Sequence, residues 1–352
     1  MRMFYKFYPV LRFFLFFLRP ESAHHFTFFL LKLLHWFRLF PVTKNPSDIK
    51  PFQYKGFIFK NRLGLAAGLD KNGDYLGPLA KLGFGFIEVG TVTPKPQLGN
   101  PKPRLFRLKN NLGLINRMGF NNKGIDYLVK KISHFGERDF ILGVNIGKNK
   151  DTPEQDAIYD YLYCLQKAYA FADYIVINIS SPNTPGLRNL QEKGKLSYLL
   201  QKIQEKRKEL REKYKKITLI FLKIAPDLTS DELNEISSNC LLYGIDGVLL
   251  TNTSIQSDIL LKKDKYQGEI GGISGAPLFP LSTRILKEFS LACANLKNEN
   301  EANKLLLIGV GGIQSAENAL EKIESGADLV QIYSGLIYEG PGIVQSILKV
   351  LK

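Results

Sequence analysis

Cysteine is scarce in this 352-residue chain: Cys164, Cys240 and Cys293 stand alone, with no C-x-x-C pair. That argues against a disulfide scaffold, an iron–sulfur cluster or a structural zinc site, so no metal is expected and a reducing compartment is the simplest setting. Long uncharged apolar runs are also missing. The purest near the N-terminus, Phe13 to Leu18, falls well short of the roughly 20 residues a membrane-spanning helix needs. Acidic residues are in deficit, 33 against 48 Lys and Arg, leaving a formal net charge of +15. The excess points to anionic partners, with phosphate ligands and anionic lipid both suitable. Nucleic acid is disfavoured as a partner, because the lysines spread over surface helices such as 202 to 216 and no zinc-ligand or RNA-binding signature occurs. No G-x-G-x-x-G opens a helix after the first strand, which weighs against an open dinucleotide-binding sheet.

What is present divides into two unlike parts, residues 1–45 and residues 46–352. The first 45 residues hold 11 of the 24 phenylalanines, the only Trp (Trp36), and seven Lys or Arg against one acid, Glu21. Two helices are predicted, near 4–18 and 21–40, broken by Pro20. In the second, His25, Lys32, His35 and Arg38 recur along one side, while Phe26, Phe29, Leu30, Leu33, Leu34, Phe37 and Phe40 fill the other. A secretory signal would end in small residues, and Arg19-Pro20-Glu21 is not such a site. A helix pair lying in a membrane interface fits the aromatics and the basic face. A helical cap packed on the protein's own body is the other reading.

From residue 55 onward the pattern becomes regular. Apolar, β-branched runs occur at 62–67, 84–90, 140–146, 174–179, 217–224, 246–251, 305–310 and 328–333. Helix-like stretches follow near 73–82, 122–134, 154–171, 194–214, 230–243, 281–295, 315–325 and 343–351. Eight strands each followed by a helix in about 300 residues predict an α/β fold, a (β/α)8 TIM barrel, here with an N-terminal amphipathic helical extension.

Such barrels build their sites at the carboxyl ends of the strands, and polar residues collect there in this sequence. Strand one runs into Ala66-Ala67-Gly68-Leu69-Asp70-Lys71, strand two ends at Thr91, and strand three at Asn145. Strand four ends in Asn178-Ile-Ser-Ser-Pro-Asn-Thr-Pro-Gly186, whose prolines and glycine force a shaped loop. Strand five ends at Lys223, strand six at Thr251-Asn252-Thr253, strand seven at Gly311-Gly312 and strand eight at Tyr333-Ser334-Gly335. Asn145 and Lys223 interrupt apolar runs, where an unpaired polar group is costly, so each needs a partner. The glycine loops after strands seven and eight can present backbone N–H groups to a phosphate.

Six segments carry a resemblance to a known family: residues 66–73 (Ala-Ala-Gly-Leu-Asp-Lys-Asn-Gly), 88–97 (Glu-Val-Gly-Thr-Val-Thr-Pro-Lys-Pro-Gln), 100–108, 116–122 (Asn-Arg-Met-Gly-Phe-Asn-Asn), 178–188 and 308–313 (Ile-Gly-Val-Gly-Gly-Ile). Together they resemble the class 2, quinone-dependent dihydroorotate dehydrogenases, from about residue 20 to the C-terminus. The resemblance implies oxidation of dihydroorotate to orotate in pyrimidine biosynthesis, with FMN as cofactor and a membrane quinone as electron acceptor. It assigns FMN to Ala67, Gly68, Leu69, Asp70, Lys71, Thr91, Asn145, Asn178, Lys223, Thr251, Gly275, Gly312, Tyr333 and Ser334. Dihydroorotate falls to Lys71, Asn116, Arg117, Met118, Gly119, Phe120, Asn178, Asn183, Asn252 and Thr253. The chemistry agrees, because Lys71 can pair with a carboxylate and the asparagine amides can satisfy a ring of alternating C=O and N–H groups.

By the same resemblance Ser181 is the base that removes the C5 proton, where cytosolic relatives carry Cys. Serine is a poor base by its own pKa, so position and a neighbouring hydroxyl or water must assist it. The helix pair acquires a role as a quinone tunnel, with His24, Arg107 and Tyr333 along it and Leu15 standing where some relatives place a glutamine. The implied setting is peripheral attachment to membrane lipid on the cytoplasmic side of the inner membrane. A soluble FMN barrel using another acceptor, or a silent barrel that only binds phosphate, would lack a reason for the aromatic N-terminus or for the full set of polar strand ends.

Overall fold

The computed structural model describes residues 7–39, 48–296 and 304–352. Two helices come first, α1 (Tyr8–Leu15) and α2 (Pro20–Trp36), with Pro20 in the opening turn of α2, where its missing N–H costs nothing. The expected first-helix start at residue 4, second-helix end at residue 40 and division between residues 45 and 46 lie outside the described residues.

A hairpin of β1 (Phe52–Tyr54) and β2 (Phe57–Phe59) follows, then β3 (Leu63–Leu65), α3 (Leu76–Ala80), β4 (Phe86–Val92), β5 (Leu105–Leu108), β6 (Gly113–Asn116) and α4 (Ile125–Ser133). The middle of the chain supplies β7 (Ile141–Ile146), α5 (Ala157–Ala168), β8 (Tyr174–Asn178), α6 (Lys195–Tyr214), β9 (Leu219–Lys223), α7 (Ser230–Leu242) and β10 (Gly247–Leu250). The last part holds β11 (Gly272–Gly275), α8 (Phe279–Asn295), β12 (Leu306–Val310), α9 (Ala316–Glu324), β13 (Leu329–Ile332), α10 (Ser334–Glu339) and α11 (Gly342–Val350).

Strands β3, β4, β7, β8, β9, β10, β12 and β13 close into a barrel in chain order, each parallel to its neighbours. All eight expected apolar runs are these strands. They are largely apolar because one face packs in the barrel and the other beneath the helices, so both are dry. Register sets the site: Asn178 lies opposite Lys223, and Gly90 opposite Asn145, which gathers polar ends on one rim.

The helix expected over 73–82 shrinks to α3. The Asp70 carboxylate accepts the N–H groups of Asp74 and Tyr75 at 3.0 and 2.8 Å, holding this stretch as a loop. Two features have no counterpart in the sequence reading. The β1–β2 hairpin plugs the far end of the barrel, its buried Phe59 ring lying edge-on to Phe86 at 5.6 Å. Strands β5, β6 and β11 form a separate antiparallel sheet that carries Asn116 and Gly275. Strands of three or four residues are too short for alternation to stand out.

The helix pair is tied to the barrel by side chains. Arg107 on β5 donates to the carbonyls of Leu18, Phe16 and Leu15 at 2.7, 3.4 and 3.4 Å, gathering the carbonyls at and just beyond the end of α1. Tyr8 donates to the Ile337 carbonyl on α10, as Arg12 does to that of Tyr338. Much of the pair's apolar surface stays uncovered: Phe13, Phe14, Phe17, Phe29 and Trp36 are each more than 60% exposed. No helix among the described residues is long and apolar enough to cross a membrane.

Candidate active site

Two cavities meet at the rim of the barrel. The first is lined by the strand-end residues Ala67, Gly68, Lys71, Thr91, Asn178, Lys223, Thr251, Gly275, Gly312, Tyr333 and Ser334, and by Asn116, Met118, Gly119, Phe120, Ser181, Asn183, Asn252 and Thr253. The second, of about 430 Å³, opens between the helix pair and the barrel and has mainly apolar walls that include Leu15, Phe16, Phe28, Leu31 and Leu69. His24 and Tyr333 border both, and Arg107 lines the second.

Four expected residues lie off the first cavity's wall. Asn145 sits behind it, with Nδ2 donating to Glu88 at 2.8 Å and Oδ1 accepting from Thr91 and Asn178 at 2.5 and 3.0 Å. Asp70 braces its loop, and Leu69 faces the apolar cavity. Arg117 turns to Glu269 at 2.6 Å, with its guanidinium over the Phe106 ring.

The amides are fixed by one another. Asn183 donates through Nδ2 to the Asn116 carbonyl and Oδ1 at 3.1 and 3.2 Å, and Asn252 donates to Ser180 Oγ at 3.0 Å. Ser181 Oγ, buried in the loop after β8, accepts the Asn183 N–H at 3.3 Å. Arg188 binds the loop to its neighbours, donating to the Ser180 carbonyl, Asp227 and the Thr253 carbonyl at 3.1, 2.7 and 2.9 Å. Arg188 was quoted within a motif but given no role. Its signal was a cation two residues beyond Gly186, the end of a proline- and asparagine-rich loop.

Electrostatics favour an anionic guest. Lys71 donates to the Gly68 carbonyl at 3.0 Å, and desolvation, then the Arg104 charge, pull it down to about 8. Burial lowers Lys223 as well, against the opposing pull of Glu88. Desolvation takes His24 down to about 3, helped by Lys71 and His25, so its imidazole is neutral. Burial alone raises Tyr333 to about 12, keeping the phenol protonated.

The residues fit a planar heterocycle bearing a phosphate. Among the described residues the Lys223 ammonium has no hydrogen-bond partner, and buried Gln331 Oε1 has none either; both residues line the cavity. The Gln331 acceptor is therefore unmatched where burial makes that costly, and the Lys223 donor opens onto the cavity. At Gly312, which lines the cavity, φ is +80°, and a Cβ would stand 2.4 Å from the Phe279 Cα, so only glycine lets this loop pack so closely on the start of α8. Gln331 interrupts its apolar run as Asn145 does, and the same reasoning applied to it would have found it. Ser274, on unforeseen β11, had no such signal; it accepts from the Ser334 hydroxyl at 3.2 Å.

Comparison with known proteins agrees with this geometry. A family model described as dihydroorotate dehydrogenase matches residues 52–352. The quinone-type dihydroorotate dehydrogenases of Yersinia enterocolitica and Pectobacterium atrosepticum are each 49% identical over 344 residues, covering 97% of this chain and 99% of theirs. A ligand-free DHODH structure from Eimeria tenella superposes with a TM-score of 0.83 at 37% identity, covering 94% of each chain. The ferulenol complex from the same organism gives 0.82 at 36% identity, covering 94% of this chain and 90% of that one.

Proposed function

Because the chain belongs to the dihydroorotate dehydrogenase family, in its quinone-dependent branch of flavin-dependent oxidoreductases, we propose that it oxidises (S)-dihydroorotate on FMN and passes the electrons to a membrane quinone. The observation that carries this reading is the shared border: a polar cavity holding Ser181, Lys71 and five asparagines meets an apolar cavity at His24 and Tyr333. A polar reductant and an apolar oxidant each have a compartment, with one wall between them.

When bound, FMN supplies hydride acceptance from one partner and electron delivery to the other. It would be held by Ala67 to Lys71, Thr91, Asn145, Asn178, Lys223, Thr251, Gly275, Gly312, Tyr333 and Ser334, with Asn145, Leu69 and Asp70 acting from behind the wall. The unmatched Lys223 ammonium supports this, since it offers a positive donor to an electron-rich ring edge.

Lys71 would receive the carboxylate of dihydroorotate as a charge-assisted pair. Asn116, Asn183 and Asn252, held by mutual hydrogen bonds, would meet the ring's carbonyl and N–H groups, with Thr253 beside them and Met118, Gly119 and Phe120 closing the wall. Arg117, engaged with Glu269, would act only by shaping that segment. Ser181 Oγ would take the C5 proton. The buried Thr184 hydroxyl, three residues on and without a partner among the described residues, is a candidate to relay it.

The quinone would enter between α1 and α2, with neutral His24 and the Arg107 guanidinium near its carbonyl. The exposed phenylalanines and Trp36 would rest in the lipid interface, giving peripheral attachment on the cytoplasmic side of the inner membrane. Residues 1–45 would then form the membrane-docking and tunnel unit, and residues 46–352 the catalytic barrel.

Anaerobic mixing tests the reading. The purified protein should carry FMN, dihydroorotate should bleach it, and added quinone should restore the oxidised spectrum. A protein that cannot be loaded with FMN, or whose flavin ignores dihydroorotate, refutes it.

A further inference from the structure

Lys322 on α9 is fully buried and lies outside every assignment made above. Its Nζ donates to Ser282 Oγ at 2.7 Å and sits 5.1 Å from the centre of the Phe279 ring. It forms no ion pair with a carboxylate among the described residues, and its nearest acidic influence is Glu321 on its own helix. The first turn of α8 adjoins it, and the partial positive charge of a helix N-terminus makes the position worse for a cation. Burial pulls the group down to about 7. An uncompensated buried ammonium costs stability, and the protein retains it.

The position of Lys322 gives it a use. In its charged form Nζ can only donate, so Ser282 Oγ accepts there and must direct its own proton elsewhere. That hydroxyl donates to the Gly311 carbonyl at 3.0 Å or the Phe279 carbonyl at 3.2 Å. In a planar trans peptide the Gly312 N–H points opposite to the Gly311 C=O, so fixing the carbonyl on α8 turns that N–H away from it. Both glycines line the polar cavity, and no hydrogen bond from the Gly312 N–H is formed among the described residues. Neither glycine leaves room for a side chain: a Cβ at Gly311 would meet Ser282 Oγ at 3.0 Å, and one at Gly312 the Phe279 nitrogen at 2.5 Å.

We propose that Lys322 is a positioning residue for the cofactor's phosphate, its charge reaching the Gly311–Gly312 loop through Ser282 and supplying the counter-charge to a phosphate monoester there. The inference rests on the FMN reading and adds the source of discrimination between phosphorylated and unphosphorylated flavin. The dianion is what balances the buried ammonium; riboflavin, without it, gains nothing from Lys322.

The test compares FMN with riboflavin, titrated into the full-length protein stripped of flavin and followed by fluorescence quenching. Lys322→Met, which keeps length and removes charge, should weaken FMN roughly tenfold, about 1.4 kcal/mol, and riboflavin less than about twofold. Ser282→Ala keeps the lysine, breaks the relay, and should weaken FMN selectively by roughly threefold; it stands in if Lys322→Met does not fold. A lysine that merely supports the fold would lower both affinities in proportion, and that result, or unchanged FMN affinity in the variants, overturns the inference alone. A wild-type protein that binds neither flavin overturns the cofactor reading along with it.

Discussion

Glu21, in the first turn of α2, accepts Arg104 Nη2 at 2.6 Å, with the two side chains only 14% and 7% exposed. Arg104 also donates to the carbonyls of Leu98 and Asn100 at 2.6 and 2.9 Å, so one guanidinium joins the helix pair to the loop before β5. Removing one partner of a sheltered pair leaves the other unmatched, at about 3 kcal/mol. Glu21→Ala should therefore lower the melting temperature and slow quinone reduction more than flavin reduction. Equal slowing of both half-reactions would contradict the role given to this pair.

Ser181→Ala should keep its FMN and lose two to four orders of magnitude in the rate of flavin reduction by dihydroorotate, the usual scale for a positioned acid or base. Stopped-flow absorbance under nitrogen measures it. A normal rate in this variant removes Ser181 from the proton transfer.

Orotate binding should depend on Lys71. With its pKa lowered to about 8, the free site loses its positive charge as pH rises through that value, whereas the bound carboxylate holds the proton on. Affinity is then level below about pH 7 and falls above 8, by roughly fivefold between pH 8 and 9. Titration of the flavin spectrum with orotate at fixed ionic strength reads this directly. A Lys71→Met variant should bind weakly with no such inflection.

Deleting residues 1–40 should abolish flotation with anionic liposomes and cut quinone reduction by on the order of 100-fold through loss of positioning, leaving flavin reduction within about twofold. Undiminished liposome binding would make the helices a cap rather than a membrane dock.

The barrel was legible because its signal is repeated: eight dry strands need eight apolar runs, and each run ends where polar residues become affordable. Asn178 and Lys223 were legible as cavity-lining residues for the same reason, polar groups at the ends of apolar runs, whereas Ser181 stood out through its loop after β8 and the family resemblance. Sequence could not tell wall from backing. Asn145, a polar residue on a strand, looks like a ligand contact until Glu88, Thr91 and Asn178 are seen to consume its amide. Arg107 was read for the quinone alone, whereas it also closes the end of α1, a pairing across about 90 residues that no local pattern reports. Lys322 was hidden differently: its helix is exposed on one side, and a lysine there reads as solvated.

Tyr333 borders both cavities, so the two chambers share a wall and not a volume. On the proposed reading, a compound filling the apolar chamber would share no space with dihydroorotate and should compete with quinone alone. An orotate mimic does the converse. Turnover should then follow a two-site ping-pong scheme, and two such compounds given together should occupy the same molecule without displacing one another; mutual displacement would contradict the two-chamber reading.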